Sequence, residues 1–348
     1  MAGKERGVRK LIMTTVAVLL SGLCAAGPAA GARPGAAVLA VPPAAKVPAP
    51  GDKVLFTFVI FGDNKSGGPW LDVVFNSMRA IRPSFVIGMG DHYQSPGSRA
   101  SFDRSVAEAF GHERFWPTQG DNEEEYWGRT QTAVGSQLKY FVRIGMFDAR
   151  GKPKRKEIVD ANPRMMDYYA QLHVAGMTVH LVSLYDHDSM NLQRSSKAWA
   201  DRVLPAIKKN KTPSQPWIVM AHDGMWWLES FKRGHALYSC DLLMGASWHK
   251  YAFYGAQHKG TNLAFNTSAV GRDDNSWYAV MALKDKFVLL NMHPTAFKVK
   301  GRPGCFIKPF GKPGFPGKPA PWLLLMAQYG KSVKARWGPM PMAPPRRK

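Results

Sequence analysis

Short apolar runs alternate with amphipathic segments through the first half of the chain. Val54–Phe61 is β-branched and aromatic almost throughout, which predicts a buried strand. Leu71, Val74, Phe75 and Met78 then recur at the spacing of one helix face, so a helix is predicted over 70–81, ended by Pro83. Phe85–Ile87 begins a second buried strand, and strand, helix and strand together predict a right-handed parallel crossover. Ser101–Phe110 is a second predicted helix, with Phe102, Val106, Ala109 and Phe110 on one face and Ser101 as its N-cap. A third strand is predicted over Arg114–Thr118.

Residues 124–163 are polar and basic with no core period, and are expected to form a cap or insertion near the strand ends. Tyr168–Val174 and Met177–Leu184 are two extended runs, with Ala175-Gly176 as the turn of a hairpin. A polar helix is predicted over 193–209, then buried strands at Trp217–Ala221 and Asp241–Gly245. Leu263–Val270, Tyr278–Leu283 and Phe287–Met292 are predicted to close the domain, whose expected bounds are 53–295.

The flanks read differently. Lys4, Arg6, Arg9 and Lys10 precede an apolar run, Leu11–Leu20, and a small-residue stretch, Ala25–Ala32, which predicts a cleaved secretory signal over 1–32. Residues 33–52 are an Ala/Pro-rich leader, and 296–348 a basic Gly/Pro-rich tail. Export to the periplasm or the medium is the expected localisation. The formal net charge is +22, but residues 298–348 hold twelve Lys and Arg and no acid, and residues 1–33 carry a net +4, leaving +6 for 34–297. A charge so concentrated in the tails argues against a specific nucleic-acid surface on the domain, and for attraction of the C-terminal tail to an acidic envelope polymer. Of the three cysteines, Cys24 falls in the signal; Cys240 and Cys305 are left, either as a disulfide or as two thiols. The domain is expected to be monomeric.

The chemistry is read from strand ends. Asp63, Asp91, Asp121, Asn122, His222 and His249 each follow a predicted strand or its turn, on the edge where α/β sheets bind ligands. One acid after a strand is an ordinary turn former. Six oxygen and imidazole donors on successive strand ends suit a pair of divalent cations, which can clamp a phosphate and lower the pKa of a bound water.

In order, Gly62-Asp63, Gly90-Asp91, Gly120-Asp-Asn-Glu123, His222 and Ala246-Ser-Trp-His249-Lys-Tyr251 resemble the calcineurin-like metallophosphoesterases, and the purple acid phosphatase branch most. The resemblance runs from residue 54 to about 292. It implies an α/β fold, a four-layer α/β/β/α metallophosphoesterase sandwich with mixed sheets. It also implies a site of two divalent or mixed-valence ions (Fe, Mn or Zn), or of a single ion. Asp63, Asp91, Asp121, His222 and His249 would be the metal ligands, with Asp91 bridging. His92 or Asn122 would contact the phosphate, and Lys65 would offset anionic charge. The implied activity is hydrolysis of a phosphate ester, small or polymeric, by a metal-dependent phosphoric ester hydrolase. A catalytically degenerate protein that binds a phosphorylated or polyanionic ligand is the alternative. The departures from the family pattern are Lys65, Asp121-Asn122 in place of Asn-His, and Ser247 in place of a His. Ala256/His258 competes with Ser247/His249 as the last motif. The Trp226-Trp227 loop is expected to shape the pocket.

Overall fold

The computed structural model describes residues 53–64, 69–93, 96–120, 122–123, 132–163, 165–185, 190–232, 234–247, 252–253, 263–266, 277–291 and 305–310. The signal, the leader, and the tail beyond residue 310 therefore lie outside the described residues. So do Lys65, Asp121, His249 and His258.

The first sheet grows from the predicted crossovers. β1 (Phe56–Phe61), β2 (Phe85–Met89) and β3 (Phe115–Thr118) run parallel. They are joined by α1 (Pro69–Ala80) and α2 (Pro96–Phe110). Each helix opens on a proline, whose missing N–H would have had no partner there. The four residues that predicted α1 are all buried, and α2 buries Phe102, Val106 and Phe110. Gly111 follows α2 at φ 76 and ψ 144, a positive φ that glycine adopts without a Cβ clash. Three further strands extend the sheet beside β1: β11 (Tyr278–Ala282), β12 (Lys286–Asn291) and β13 (Cys305–Pro309), all antiparallel. The sheet order is β13-β12-β11-β1-β2-β3, so β2 stands between β1 and β3.

The second sheet has the order β4-β5-β6-β7-β8-β10-β9. Its strands are β4 (Ile158–Asn162), β5 (Asp167–Val174), β6 (Met177–Leu184), β7 (Trp217–Ala221), β8 (Leu242–Gly245), β9 (Ala252–Phe253) and β10 (Leu263–Asn266). Its central pairs are parallel and its edges antiparallel. The β5–β6 turn is the expected Ala175-Gly176, with φ 49 and 79, positive at both central residues, which suits the twist of a hairpin. Successive side chains of β7 divide between two cores. Ile218 and Met220 join the cluster shared with the first sheet and α1 and α2. Trp217, Val219 and Ala221 pack with Trp199, Val203 and Leu204 of α4 (Met190–Asn210). A sheet buried on both faces, against another sheet and against helices, gives the four-layer α/β/β/α sandwich with mixed sheets that the sequence led us to expect.

Three expectations need correction. β13 pairs with β12 along its length and Phe310 is buried, so the domain runs to at least residue 310, past the boundary drawn at 295. Nor are residues 132–163 a coreless insertion. α3 (Thr132–Arg143) places Tyr140 and Phe141 in the central cluster, with Ile144 just beyond it, and β4 is a strand of the second sheet. Finally, Trp227 is a core residue of the cluster beneath the second sheet, with Trp226 half-buried edge-on against it at 5.0 Å. Of the cysteines, Cys240 is buried in that same cluster, whereas Cys305 opens β13 in the other sheet; the Cys305 side chain lies outside the described residues. Among the described residues no helix is long and apolar enough to cross a membrane.

Candidate metal centre at the strand ends

The C-terminal ends of β1 and β2 share one local design. Asp63 and Asp91 each follow a glycine, and both adopt φ 54. A non-glycine residue in the left-handed region costs about 1 kcal/mol or more and persists where its surroundings hold it. The backbone N–H of Asp63 donates to the Gly90 carbonyl at 2.9 Å, which ties the two turns together. Both aspartates are fully buried.

Asp91 is the hub. Its Oδ1 accepts from the backbone N–H of Asn122 at 2.9 Å, and its Oδ2 accepts from the Asn122 side-chain amide. The Nε2 of His222 stands 3.4 Å from Oδ2. His222 comes from the end of β7 in the other sheet, and its Nδ1–H donates to the carbonyl of Met89 at 2.8 Å. That bond orients the ring, turns Nε2 toward Asp91, and stitches the two sheets at the site. Gly62 permits the same approach, since a Cβ there would lie 2.6 Å from the Cβ of Met89 and 2.8 Å from that of Ala246. The end of β8 is anchored in turn, because the N–H groups of Ala246 and Ser247 donate to the His222 carbonyl at 2.8 and 3.0 Å.

His92 does not serve as expected. Its Nδ1–H meets Asn64 Oδ1 at 3.0 Å, and its Nε2 accepts from the Gly90 N–H at 3.2 Å. The ring stacks on Phe102 at 4.8 Å and lies against Phe61 and Phe115. Both nitrogens are occupied and the ring is fully buried, so it is turned inward among Phe61, Phe102 and Phe115. Burial pushes its pKa down to about 3, with the charge of Asp91 opposing, so the ring stays neutral. Asn64 also donates through Nδ2 to the His92 carbonyl at 2.8 Å. Asn122, proposed for phosphate contact, is spent on Asp91. Sequence reasoning assigned no role to Asn64 or to Glu123. The latter is fully buried and accepts from the N–H groups of Gly120, Asp91, His92 and Tyr93. Burial and the Asp91 charge push the Glu123 carboxyl up to about 8, while the N–H groups of Gly120 and His92 pull it back.

The structure thus brings together Asp63, Asp91, Asn122 and His222, with His92 as their support. Among the described residues no three His, Cys, Asp or Glu side chains converge closely enough to hold a metal ion by themselves. The donors fit such an ion in kind. Carboxylate oxygen and neutral imidazole suit Mn, Fe and Zn, and a ligating His ordinarily gives its other N–H to a backbone carbonyl, as His222 does.

No protein-family model matches the chain, and no curated protein sequence does. Among solved structures, the chain is similar to a dimetal phosphatase from Danio rerio at 11% identity, over 74% of this chain and all of that one, with a TM-score of 0.48. It is similar to GAP50, the anchor in the inner membrane complex of Plasmodium, at 10% identity, over 74% and 89% of the two chains, TM-score 0.44. A purple acid phosphatase from yellow lupin (Lupinus luteus) seeds is 12% identical over 72% of this chain and 53% of that one, TM-score 0.43.

Proposed function

We propose that this chain is a metal-dependent phosphoric ester hydrolase of the calcineurin-like type. One observation carries the reading: strand ends from both sheets meet at Asp91, where the His222 ring, oriented by the Met89 carbonyl, faces a buried carboxylate at 3.4 Å. Asp63, Asp91 and His222 would hold the metal, joined by Asp121 and His249. The ion would supply Lewis-acid stabilisation of the phosphoryl charge and a more acidic bound water. The chain's own residues do the rest. Asp91 presents its carboxylate from a turn fixed on both sides. Asn122 holds that carboxylate in one rotamer. The Met89 carbonyl holds the His222 ring in one orientation. Lys65, next in sequence to Asn64, would offset the charge of a phosphate ester. We further place the protein outside the cytoplasm, as a monomer, acting on a phosphorylated small molecule or polymer, with its basic tail drawn to acidic polymers. The test is hydrolysis of an aryl phosphate by the folded protein with Mn, Zn or Fe added; turnover with none of them sinks the assignment.

A second reading has its own support. Asn122 engages both oxygens of Asp91 and His92 is internal, so neither residue is left to meet a phosphate. A chain that keeps the sandwich and binds a phosphorylated ligand without turning it over would show this. Metal content separates the two, since two equivalents per folded chain would argue against the degenerate form.

A further inference from the structure

The turns after β2 and β3 approach each other backbone to backbone. A Cβ on Gly90 would lie 2.7 Å from the nitrogen of Gly120, and a Cβ on Gly120 would stand 2.6 Å from the nitrogen of Asp91 and overlap that residue's carboxylate. So close an approach leaves no room for side chains between the turns, and it crowds backbone donors together. Three successive N–H groups, of Asp91, His92 and Tyr93, turn inward after the left-handed Asp91, and the N–H of Gly120 joins them from the other turn. Successive N–H groups of this kind form a concavity that binds anions. Here the chain fills that concavity with a carboxyl group of its own. Glu123 Oε2 accepts from Gly120 at 2.7 Å and Asp91 at 2.8 Å, and Oε1 accepts from His92 at 2.5 Å and Tyr93 at 3.3 Å.

We infer that Glu123 is a positioning residue of the metal centre: its carboxyl group locks the Asp91 turn to the Gly120–Asn122 turn, and so aims the Asp91 carboxylate. It touches neither substrate nor metal. The inference rests on the proposed metal centre for its effect on affinity, and on the hydrogen bonds alone for the clamp itself. A purely structural acid would behave differently. Asp241 provides the comparison, being equally buried and accepting from the Trp217 N–H at 2.9 Å, but at the start of β7, the end of the strand away from His222.

The experiment uses the full chain and two measurements. The first is the affinity for Mn²⁺ or Zn²⁺ by titration calorimetry. Glu123→Gln replaces two acceptor positions by an N–H₂ that faces N–H groups, and should weaken metal binding roughly 10–100-fold, the range for outer-shell partners. Asp241→Asn should leave it within about twofold. In Glu123→Ala, added formate should recover part of the affinity, because a small carboxylate can take the vacated cradle. The second measurement is hydrogen exchange of metal-free wild type. The amides of Gly120, Asp91, His92 and Tyr93 should be strongly protected, and that protection should fall together in Glu123→Gln. A folded Glu123→Gln with wild-type metal affinity overturns the inference, as does an equal loss in Asp241→Asn. Should wild type bind no metal, the proposed function fails and exchange decides the clamp: rapid exchange at those four amides in wild type would refute it, whether or not a variant folds.

Discussion

The Asp91→Asn replacement separates what holds the site from what the site is for. In metal-free protein two effects oppose each other. Asn122 donates to both oxygens of Asp91, through its backbone N–H at 2.9 Å and through its side-chain amide. An amide at position 91 can accept only one of these, and a buried donor left facing a donor costs about 1–3 kcal/mol. Against this, the replacement removes a buried negative charge beside Glu123, whose carboxyl is pushed up chiefly by burial and further by that charge. At an effective dielectric near 20, like charges a few ångström apart repel by about 3 kcal/mol, which is the upper limit of the relief because a Glu123 carboxyl at about 8 is mostly protonated at neutral pH. The metal-free fold should therefore change by no more than about 2 kcal/mol, of either sign. Metal binding has no such offset. A carboxylate that contacts the ion directly should be worth more than the roughly 10–100-fold of an outer-shell partner. The assays are the thermal midpoint without metal, calorimetric titration with Mn²⁺, and turnover of an aryl phosphate. Asp72→Asn is the control, an exposed acid on α1 bonded to Ser105 at 2.6 Å. If Asp91→Asn keeps near-normal metal content and turnover while Asp72→Asn loses them, the site has been placed wrongly. A metal-free loss above about 4 kcal/mol would show that the charge argument is wrong.

Further outcomes are expected away from the ligands. Gly88 leaves space that the His92 ring and Phe115 fill, with His92 Nε2 and the Phe115 ring both 2.7 Å from where a Cβ would lie; Gly88→Ala should cost about 1–3 kcal/mol by overpacking, read from urea denaturation, and a neutral result would show that the His92 ring is not held there. His180 is held neutral, its pKa lowered from 6.5 chiefly by burial and partly restored by its bond to Gln215. The unfolded chain protonates this ring first, so its contribution is complete above about pH 6.5 and is lost as the pH falls toward the lowered folded value. The thermal midpoint should therefore drop less steeply on acidification in His180→Gln than in wild type; identical slopes would remove His180 from the account. Residues 311–348 hold eight Lys and Arg and no acid, so a chain cut after residue 310 should elute from a heparin column at lower salt than the whole chain. Equal elution would assign the affinity to the domain.

Most strands were legible because each is an apolar run bounded by turn residues, and the helices α1 and α2 because their buried positions recur at helical spacing. The order of the first three strands followed from two short crossovers, and it put Asp91 between the strand ending in Asp63 and β3. What escaped had weaker local signals. β13 is five residues of a Gly/Pro-rich basic stretch, and nothing in Cys-Phe-Ile-Lys-Pro marks it as a strand until β12 offers an edge. α3 does carry a period in Leu138, Phe141 and Ile144, but it sits among lysines and arginines that made the segment look solvated. The seven residues of α5 (Gly224–Ser230) are too few to show any period, so its tryptophans read as loop.

At the site, spacing revealed which residues arrive at the strand ends but not which way they face. Asp91 in an extended conformation would put the His92 side chain on the face of the strand opposite its own. The left-handed Asp91 redirects the chain instead, and the His92 ring folds back over Gly88 into the layer of Phe61, Phe102 and Phe115. The same turn points three backbone N–H groups at Glu123. One backbone angle thus decides that the histidine of Gly-Asp-His is internal and that the glutamate of Gly-Asp-Asn-Glu is its neighbour. No side-chain periodicity encodes that angle. The only local hint is glycine at positions 88, 90 and 120, each filled by a neighbour where a Cβ would stand. Chemistry assigned to a strand-end motif by residue type alone is therefore safest for the residue directly after the glycine. The next two positions depend on the hand of the turn, which here converts a candidate phosphate contact into the support for the carboxylate beside it.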